Sequence, residues 1–511
     1  MNIVNVLEVN SRRHPEKEAI IYQNRKYTYD EFNKKINQLA HGLKDRGVSK
    51  GDKVALMMKN SDYFALAYYA CAKIGAVLVP INFRLRSKEL NYIITNSDTK
   101  HIIADTDFEE VILQAVGNQV QLQNLFSVPH AGNEAFQSVA TIFSPNHENP
   151  EIEILGTDDL HIMYTSGTTG FPKGALFDHN RVKDVAIILN SSLGYHYQER
   201  LMNFLPLFHG AALLISMISG FYIGGTLVIY RDFNPKEILT DIGKYKITSF
   251  IAVPTMYDAF LQIPKQDDFD LSTMEKYLYG AAPMSEDLVR KCLDYFGSNQ
   301  FYSLCGQTET GPTGIMLYPK DHEKYAGMTG KEALAYTSVD IVNEQGHSTK
   351  PGEIGELIIK APTVMKEYYK NPIATAETIR DGWLYSGDLA VRDEGNYIKL
   401  VDRKKDLIIS GGENVYSIEV ENVLAMHPSI VDVAVIGTPD QKWGELVTAV
   451  VVLKAGEQIS EKEIVEFTRE HLAGYKVPKK VIFTESLPRN ASGKLTKYQL
   501  REMISGVSTA F

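Results

Sequence analysis

The run Tyr164-Thr165-Ser166-Gly167-Thr168-Thr169-Gly170-Phe171-Pro172-Lys173-Gly174 is where residue types and spacing point most directly to chemistry. Hydroxyls at Thr165, Ser166, Thr168 and Thr169 stand among Gly167, Gly170 and Gly174, with Lys173 close behind. Glycines let backbone N–H groups wrap an anion, hydroxyls add donors, and a lysine supplies a point charge suited to phosphate. The order is not that of a Walker A loop, which needs Gly-Lys-Ser/Thr, because Lys173 stands between Pro172 and Gly174. A polar surface loop after the strand-like Leu160-His161-Ile162-Met163 is the plainer reading, and a run this specific argues against it.

Other segments carry groups that phosphate chemistry uses. Glu309 stands in Tyr302-Ser303-Leu304-Cys305-Gly306-Gln307-Thr308-Glu309-Thr310-Gly311. Its carboxylate is a hard oxygen ligand of the kind that reaches a magnesium ion bridging phosphates. Asp388, in Tyr385-Ser386-Gly387-Asp388, is able to accept from both hydroxyls of a ribose; a turn aspartate is the plainer reading. Lys494 closes Pro488-Arg489-Asn490-Ala491-Ser492-Gly493-Lys494. A cation on such a loop offsets charge that grows in a transition state.

With Leu205-Pro206-Leu207-Phe208-His209-Gly210 and the stretch from Asp402 to Glu413, these segments, in this order, resemble the adenylate-forming superfamily of acyl-CoA synthetases, adenylation domains and luciferases. The resemblance covers essentially the whole chain and runs closest to bacterial fatty-acid–CoA ligases. It implies an ATP-dependent acid–thiol ligase: a carboxylic acid attacks the α-phosphorus of ATP, pyrophosphate leaves, and coenzyme A then takes the acyl group as AMP departs. Thr165, Ser166, Gly167, Thr168, Thr169, Gly170 and Lys173 would hold phosphates, with Thr165 and Glu309 near Mg2+ and Thr308 near the α-phosphate. Gly280, Ala281, Ala282, Tyr302, Asp388 and Arg403 would hold the nucleoside, and Lys494 would be the catalytic lysine.

His209, Gly210, Gly280, Ala281, Leu304, Gly306 and Gly311 are expected around the acid. Gly411, Gly412 and Glu413 would line the pantetheine channel, where a side chain would block the path. Trp443, Tyr475, Lys476, Lys479 and Lys480 are candidates for the nucleotide end of coenzyme A. Asp402 is the expected hinge about which a small domain alternates Lys494 and the glycine turn. One departure is Cys305, where relatives usually carry an aromatic residue that stacks on adenine; Tyr302 is the candidate to replace it.

The acid itself is less determined. Amino-acid adenylation domains typically carry aspartate where His209 stands, so a substrate ammonium is disfavoured. Small residues around the pocket favour a medium- or long-chain fatty acid, with a cinnamate- or benzoate-type aryl acid as the alternative. Delivery to a carrier protein, a luciferase-like oxygenase and a non-catalytic nucleotide-binding module remain as rival classes.

The elements that position these groups follow from pattern and composition. A chain of 511 residues predicts at least two domains, and 44% hydrophobic with 23% charged residues is ordinary for a globular protein. A net charge of -10 leaves no basic field for nucleic acid. The three cysteines, Cys71, Cys292 and Cys305, show no metal or redox spacing, which fits a reducing, cytoplasmic setting. No targeting segment is expected at either end. Ala211 to Tyr230 is uncharged and long enough to span a bilayer, but Gly220, Gly224 and Gly225 interrupt it. It reads as a buried helix, a glycine turn and a core strand, leaving a peripheral membrane contact or a homodimer open.

Strand-like runs such as Lys53 to Met58, Thr226 to Tyr230 and Ser249 to Val253 alternate with helical patterns, which predicts parallel sheets covered by helices. Near residue 400 the pattern changes to a small α+β unit. The expected fold is therefore α/β, with a large ATP- and acid-binding domain over 1–401 and a small mobile domain over 402–511.

Overall fold

Short apolar runs become the buried inner strands of two large sheets. In one, the order is Glu367–Tyr368, Lys173–Asp178, Asp159–Thr165, Val77–Pro80, Lys53–Met57, Thr99–Asp105, Asn124–Val128 and Gln137–Ser138. Its inner pairs are parallel, whereas Asp159–Thr165 and Lys173–Asp178 form an antiparallel hairpin at one end. The other sheet runs parallel from Glu18–Tyr22 through Thr226–Ile229, Arg200–Asn203, Ser249–Ala252, Lys276–Gly280 and Phe301–Gly306. Beyond Phe301–Gly306 it turns antiparallel at Gly314–Leu317. The computed structural model describes residues 2–117, 122–165, 172–265, 269–489 and 495–505.

By packing, the chain divides into two units. The first comprises 1–324, 332–339 and 359–384, and the second 325–331, 340–358 and 385–511. The main core of the first unit gathers Tyr29, Phe32, Phe64, Phe177, Leu189 and Phe221 from helices and sheet faces. Ala211–Ile218 is a buried helix, as expected, but it winds as a π-helix, with the Ser219 hydroxyl donating to the Leu214 carbonyl at 2.8 Å. Gly224, at φ +77°, turns the chain into the buried strand Thr226–Ile229. Among the described residues no helix is long and apolar enough to cross a membrane.

The second unit is α+β. The long antiparallel pair Ile430–Asp440 and Gly444–Leu453 is flanked by Ile408–Ser410, Glu413–Val415 and Lys480–Phe483. The helices Ser417–Ala425 and Glu461–His471 pack on it through Val420, Leu424 and Ile464. Asp402 lies within this unit, on the strand Ile398–Arg403, which pairs with Trp383–Arg392. The observed class is the expected one: parallel-rich sheets with helices, followed by a smaller α+β unit.

Candidate active site

The segment expected to hold phosphates lies at the hairpin at the sheet's end. Thr165 closes one strand and stands opposite Lys173, whose carbonyl accepts from the Thr165 hydroxyl at 3.4 Å. Gly174 is required one residue on, because a Cβ there would stand 2.6 Å from Ile162 Cγ2. Ser166, Gly167, Thr168, Thr169 and Gly170 lie outside the described residues. The strand Glu367–Tyr368 adds to this hairpin, with Tyr368 opposite Ala175. Its phenol donates to Glu309 Oε1 at 2.7 Å, and Lys173 Nζ sits 5.0 Å from the centre of its ring. Glu309 rides on the 3-10 turn Thr308–Thr310, and its carbonyl accepts from the Met365 N–H at 2.8 Å. Thr165, Lys173 and Glu309 are thus linked through Tyr368 and the hairpin. Carboxylate and hydroxyl oxygens are the donors that suit magnesium, which takes few protein ligands and completes its shell with phosphate and water oxygens.

Around this corner the backbone is packed closely. A Cβ on Gly280 would stand 2.3 Å from the Leu304 carbonyl oxygen, and one on Gly306 2.5 Å from the Pro312 carbonyl carbon. Ala281 holds a left-handed φ of +64° and, like Ala282, is exposed. A non-glycine residue held there is strained, which is common where a ligand is clamped. Gly311, at φ +62°, ends the turn that carries Thr308. On the strand Phe301–Gly306 side chains alternate, so Tyr302 and Cys305 face opposite sides. Tyr302 lies edge-on to Tyr318 at 6.3 Å, and burial raises its phenol pKa.

His209 and Gly210 lead directly into the π-helix. His209 Nδ1 accepts from the Ala211 N–H at 3.3 Å, and Phe208 meets Phe83 edge-on at 5.4 Å. Gly210 borders Met163 and Pro312, both within 3.7 Å of where its Cβ would stand. Gly210 and Gly306, both expected around the acid, therefore meet at Pro312, a residue with no signal of its own in the sequence.

In the second unit Asp388 and Arg403 are opposite one another on neighbouring strands, with Arg403 Nε 2.6 Å from Asp388 Oδ1. Asp388 is buried and its N–H donates to Ser386 Oγ at 3.0 Å. Asp402 is also buried. Its Oδ2 accepts from the N–H and the hydroxyl of Ser417, at the start of the helix Ser417–Ala425. A carboxylate at that position complements the helix dipole.

Gly411 and Gly412 form a turn, as the sequence predicts. They have φ of +64° and +84°, and Glu413 follows, exposed, at the start of the strand Glu413–Val415. The Gly411 N–H donates to the Trp443 carbonyl at 2.7 Å, and a Cβ on Gly411 would stand 2.8 Å from Trp443 Cε3. Lys479 Nζ lies 3.2 Å from the Trp443 ring centre. Lys476 is instead paired with both oxygens of Glu419 at 2.7 Å. Tyr475 and Lys480 are exposed, and Lys494 lies outside the described residues. The sequence reading missed Tyr368; it stands in Tyr368-Tyr369-Lys370-Asn371-Pro372, where no spacing signals chemistry.

Comparison with known proteins matches the chain to AMP-binding enzymes along most of its length. A family model described as AMP-binding enzyme matches residues 7–369, and one described as AMP-binding enzyme C-terminal domain matches 419–494. The chain is 37% identical over 495 residues to a feruloyl-CoA synthase of Amycolatopsis sp, covering 96% of each chain. It is also 37% identical over 482 residues to the long-chain-fatty-acid–CoA ligase FadD13 of Mycobacterium tuberculosis, covering 94% of this chain and 93% of that one. The solved structure of o-succinylbenzoate coenzyme A synthetase from Bacillus subtilis in complex with ATP and magnesium ion aligns with a TM-score of 0.87 at 30% identity, covering 97% of this chain and 99% of that one.

Proposed function

The chain belongs to the AMP-binding enzyme family, as an AMP-forming acyl-CoA ligase, and on that premise we propose that its acid is a medium- or long-chain fatty acid. The acid-pocket wall carries this reading. His209, its Nδ1 engaged by the Ala211 amide, offers no fixed negative charge, and the helix behind it, Ala211–Ile218, is buried and almost wholly apolar. Such a wall suits an apolar chain and has nothing to pair with a substrate ammonium. The equal likeness to a feruloyl-CoA synthase supports an aryl acid as the second reading.

The residues then divide the work. Thr165, Lys173 and residues 166–170 hold the phosphates of ATP. Glu309 and Thr165 would hold a magnesium ion, which would neutralise phosphate charge when bound. Asp388 and Arg403 take the ribose, and the segments Gly280–Ala282 and Gly306–Thr308 border adenine and the α-phosphate. Lys494 bridges the attacking carboxylate and the α-phosphate. For the second half-reaction Gly411, Gly412 and Glu413 line the path of the thiol, with Trp443, Lys479 and neighbouring basic groups at the nucleotide of coenzyme A. We place the turn between the two steps at Asp402, and the setting in the cytoplasm.

Octanoate, palmitate, ferulate and benzoate, assayed for pyrophosphate release with and without coenzyme A, test the reading. A higher kcat/KM for the fatty acids is expected; a preference for ferulate would replace that reading with the aryl-acid one. Acid-dependent release that yields no acyl-CoA in the presence of coenzyme A would point to a carrier protein instead. Lys494→Ala is expected to slow acid-dependent pyrophosphate release by about two orders of magnitude or more. An unchanged rate would refute the role of that lysine.

A further inference from the structure

We infer that Tyr368 is a positioning residue for adenylation: its phenol fixes the carboxylate of Glu309 for the metal while its ring seats Lys173. The inference rests on the proposed role of Glu309 toward magnesium. A glutamate's terminal torsion is broad and nearly two-fold, so a carboxylate held by nothing presents either oxygen in many orientations. Here the Tyr368 hydroxyl holds Oε1 at 2.7 Å. The other oxygen then has one orientation to offer a cation, the service that outer partners perform for metal ligands.

Tyr368 is itself pinned from three sides. Its strand pairs with Lys173–Asp178, the Tyr369 N–H donates to the Gly174 carbonyl at 2.7 Å, and its own N–H donates to Thr375 Oγ1 at 3.0 Å. The Met365 N–H ties the Glu309 backbone to the same stretch. A buried tyrosine often finds a partner for its hydroxyl merely to avoid an unsatisfied group. The same ring, however, also lies 5.0 Å from Lys173 Nζ, within cation–π range. One side chain therefore touches the metal carboxylate through its hydroxyl and the phosphate lysine through its face.

The test is Mn2+ binding in the presence of a non-hydrolysable ATP analogue, followed by the electron paramagnetic resonance of the free ion. Tyr368→Phe keeps the ring and removes the donor. It is expected to weaken Mn2+ binding roughly tenfold, with the KM for the acid unchanged. Glu309→Gln should weaken binding further, and Glu309→Gln with Tyr368→Phe should be no weaker than Glu309→Gln alone, because the phenol acts through that carboxylate. Tyr368→His, a ring with a donor, is the second variant and should recover part of the loss. If Glu309→Gln weakens binding and Tyr368→Phe does not, the positioning role is overturned and the metal reading stands. If the two losses add in full, Tyr368 acts on the fold and not through Glu309. If Glu309→Gln leaves Mn2+ binding untouched, the metal reading falls and takes this inference with it.

Discussion

Gly280 and Gly306 show how little room single residues have at this site. The atoms that a Cβ would meet, at 2.3 Å and 2.5 Å, belong to backbone, which cannot swing aside as a side chain does. Gly280→Ala and Gly306→Ala are each expected to cost about 1–3 kcal/mol through overpacking, measured as a lowered urea midpoint. Asp388 is constrained by charge and not by space, since Arg403 Nε lies 2.6 Å away. Asp388→Asn removes the negative charge offered to that pair and, on the proposed ribose role, to a ribose hydroxyl. The KM for ATP should rise roughly tenfold, the loss of about 1.4 kcal/mol expected for one charge-assisted hydrogen bond, with the KM for the acid little changed. These residues stood out by type in their motifs. The partner of Glu309 did not, because Tyr368 reaches it across 59 residues of chain.

At the scale of elements, two short pieces of the second unit are each held by a few contacts to one residue. The helix Ser417–Ala425 begins on the Asp402 carboxylate, which accepts from the Ser417 hydroxyl at 2.7 Å. Ser417→Ala removes that bond and leaves the buried carboxylate one donor short. The second unit should lose about 1–2 kcal/mol, read from the fluorescence of Trp443. The glycine turn is the other piece. Gly411→Ala places a methyl group against the Trp443 ring at a positive φ, so the turn must shift. Acyl-CoA formation is expected to fall at least roughly tenfold while acid-dependent pyrophosphate release is retained, since a displacement near 1 Å in a reaction path costs that much or more. Equal loss in both steps would remove this turn from the thiol path. Gly411-Gly412 was visible in sequence as a turn, but the indole against it comes from the turn before the strand Gly444–Leu453, some thirty residues away.

Across the whole molecule, buried histidines tie the fold to pH. His161 and His179 are fully buried in the first unit, and His179 has no hydrogen-bond partner on either ring nitrogen. Burial, with the nearby His179 adding to it, brings His161 down to about 3, and burial brings His179 down to about 4. Both folded values lie below the unfolded value of about 6.5. Below that pH the unfolded chain takes up protons that the folded chain refuses. Stability therefore falls as pH drops from 6.5 toward the folded values, by roughly 2 kcal/mol per histidine between pH 7 and pH 5. In a Trp443→Phe background Trp383 of the first unit is the remaining tryptophan. Adding His179→Asn there should flatten the dependence of the urea midpoint on pH; an unchanged slope would assign the acid sensitivity to other groups.

What the sequence determined alone was whatever depends on neighbours along the chain: a glycine–hydroxyl–lysine order of the kind that suits an anion, an acidic turn, and glycines where the backbone must take a positive φ. Strand-and-helix alternation likewise made the α/β class legible, since each element's buried face is written in its own period. The tertiary structure decided what depends on strands meeting across long separations. Only the pairing of Glu367–Tyr368 with Lys173–Asp178 brings a tyrosine to Glu309, and only the pairing of Trp383–Arg392 with Ile398–Arg403 sets Asp388 against Arg403. The physical reason is that sheet register is fixed by the burial of whole faces, which no local motif encodes.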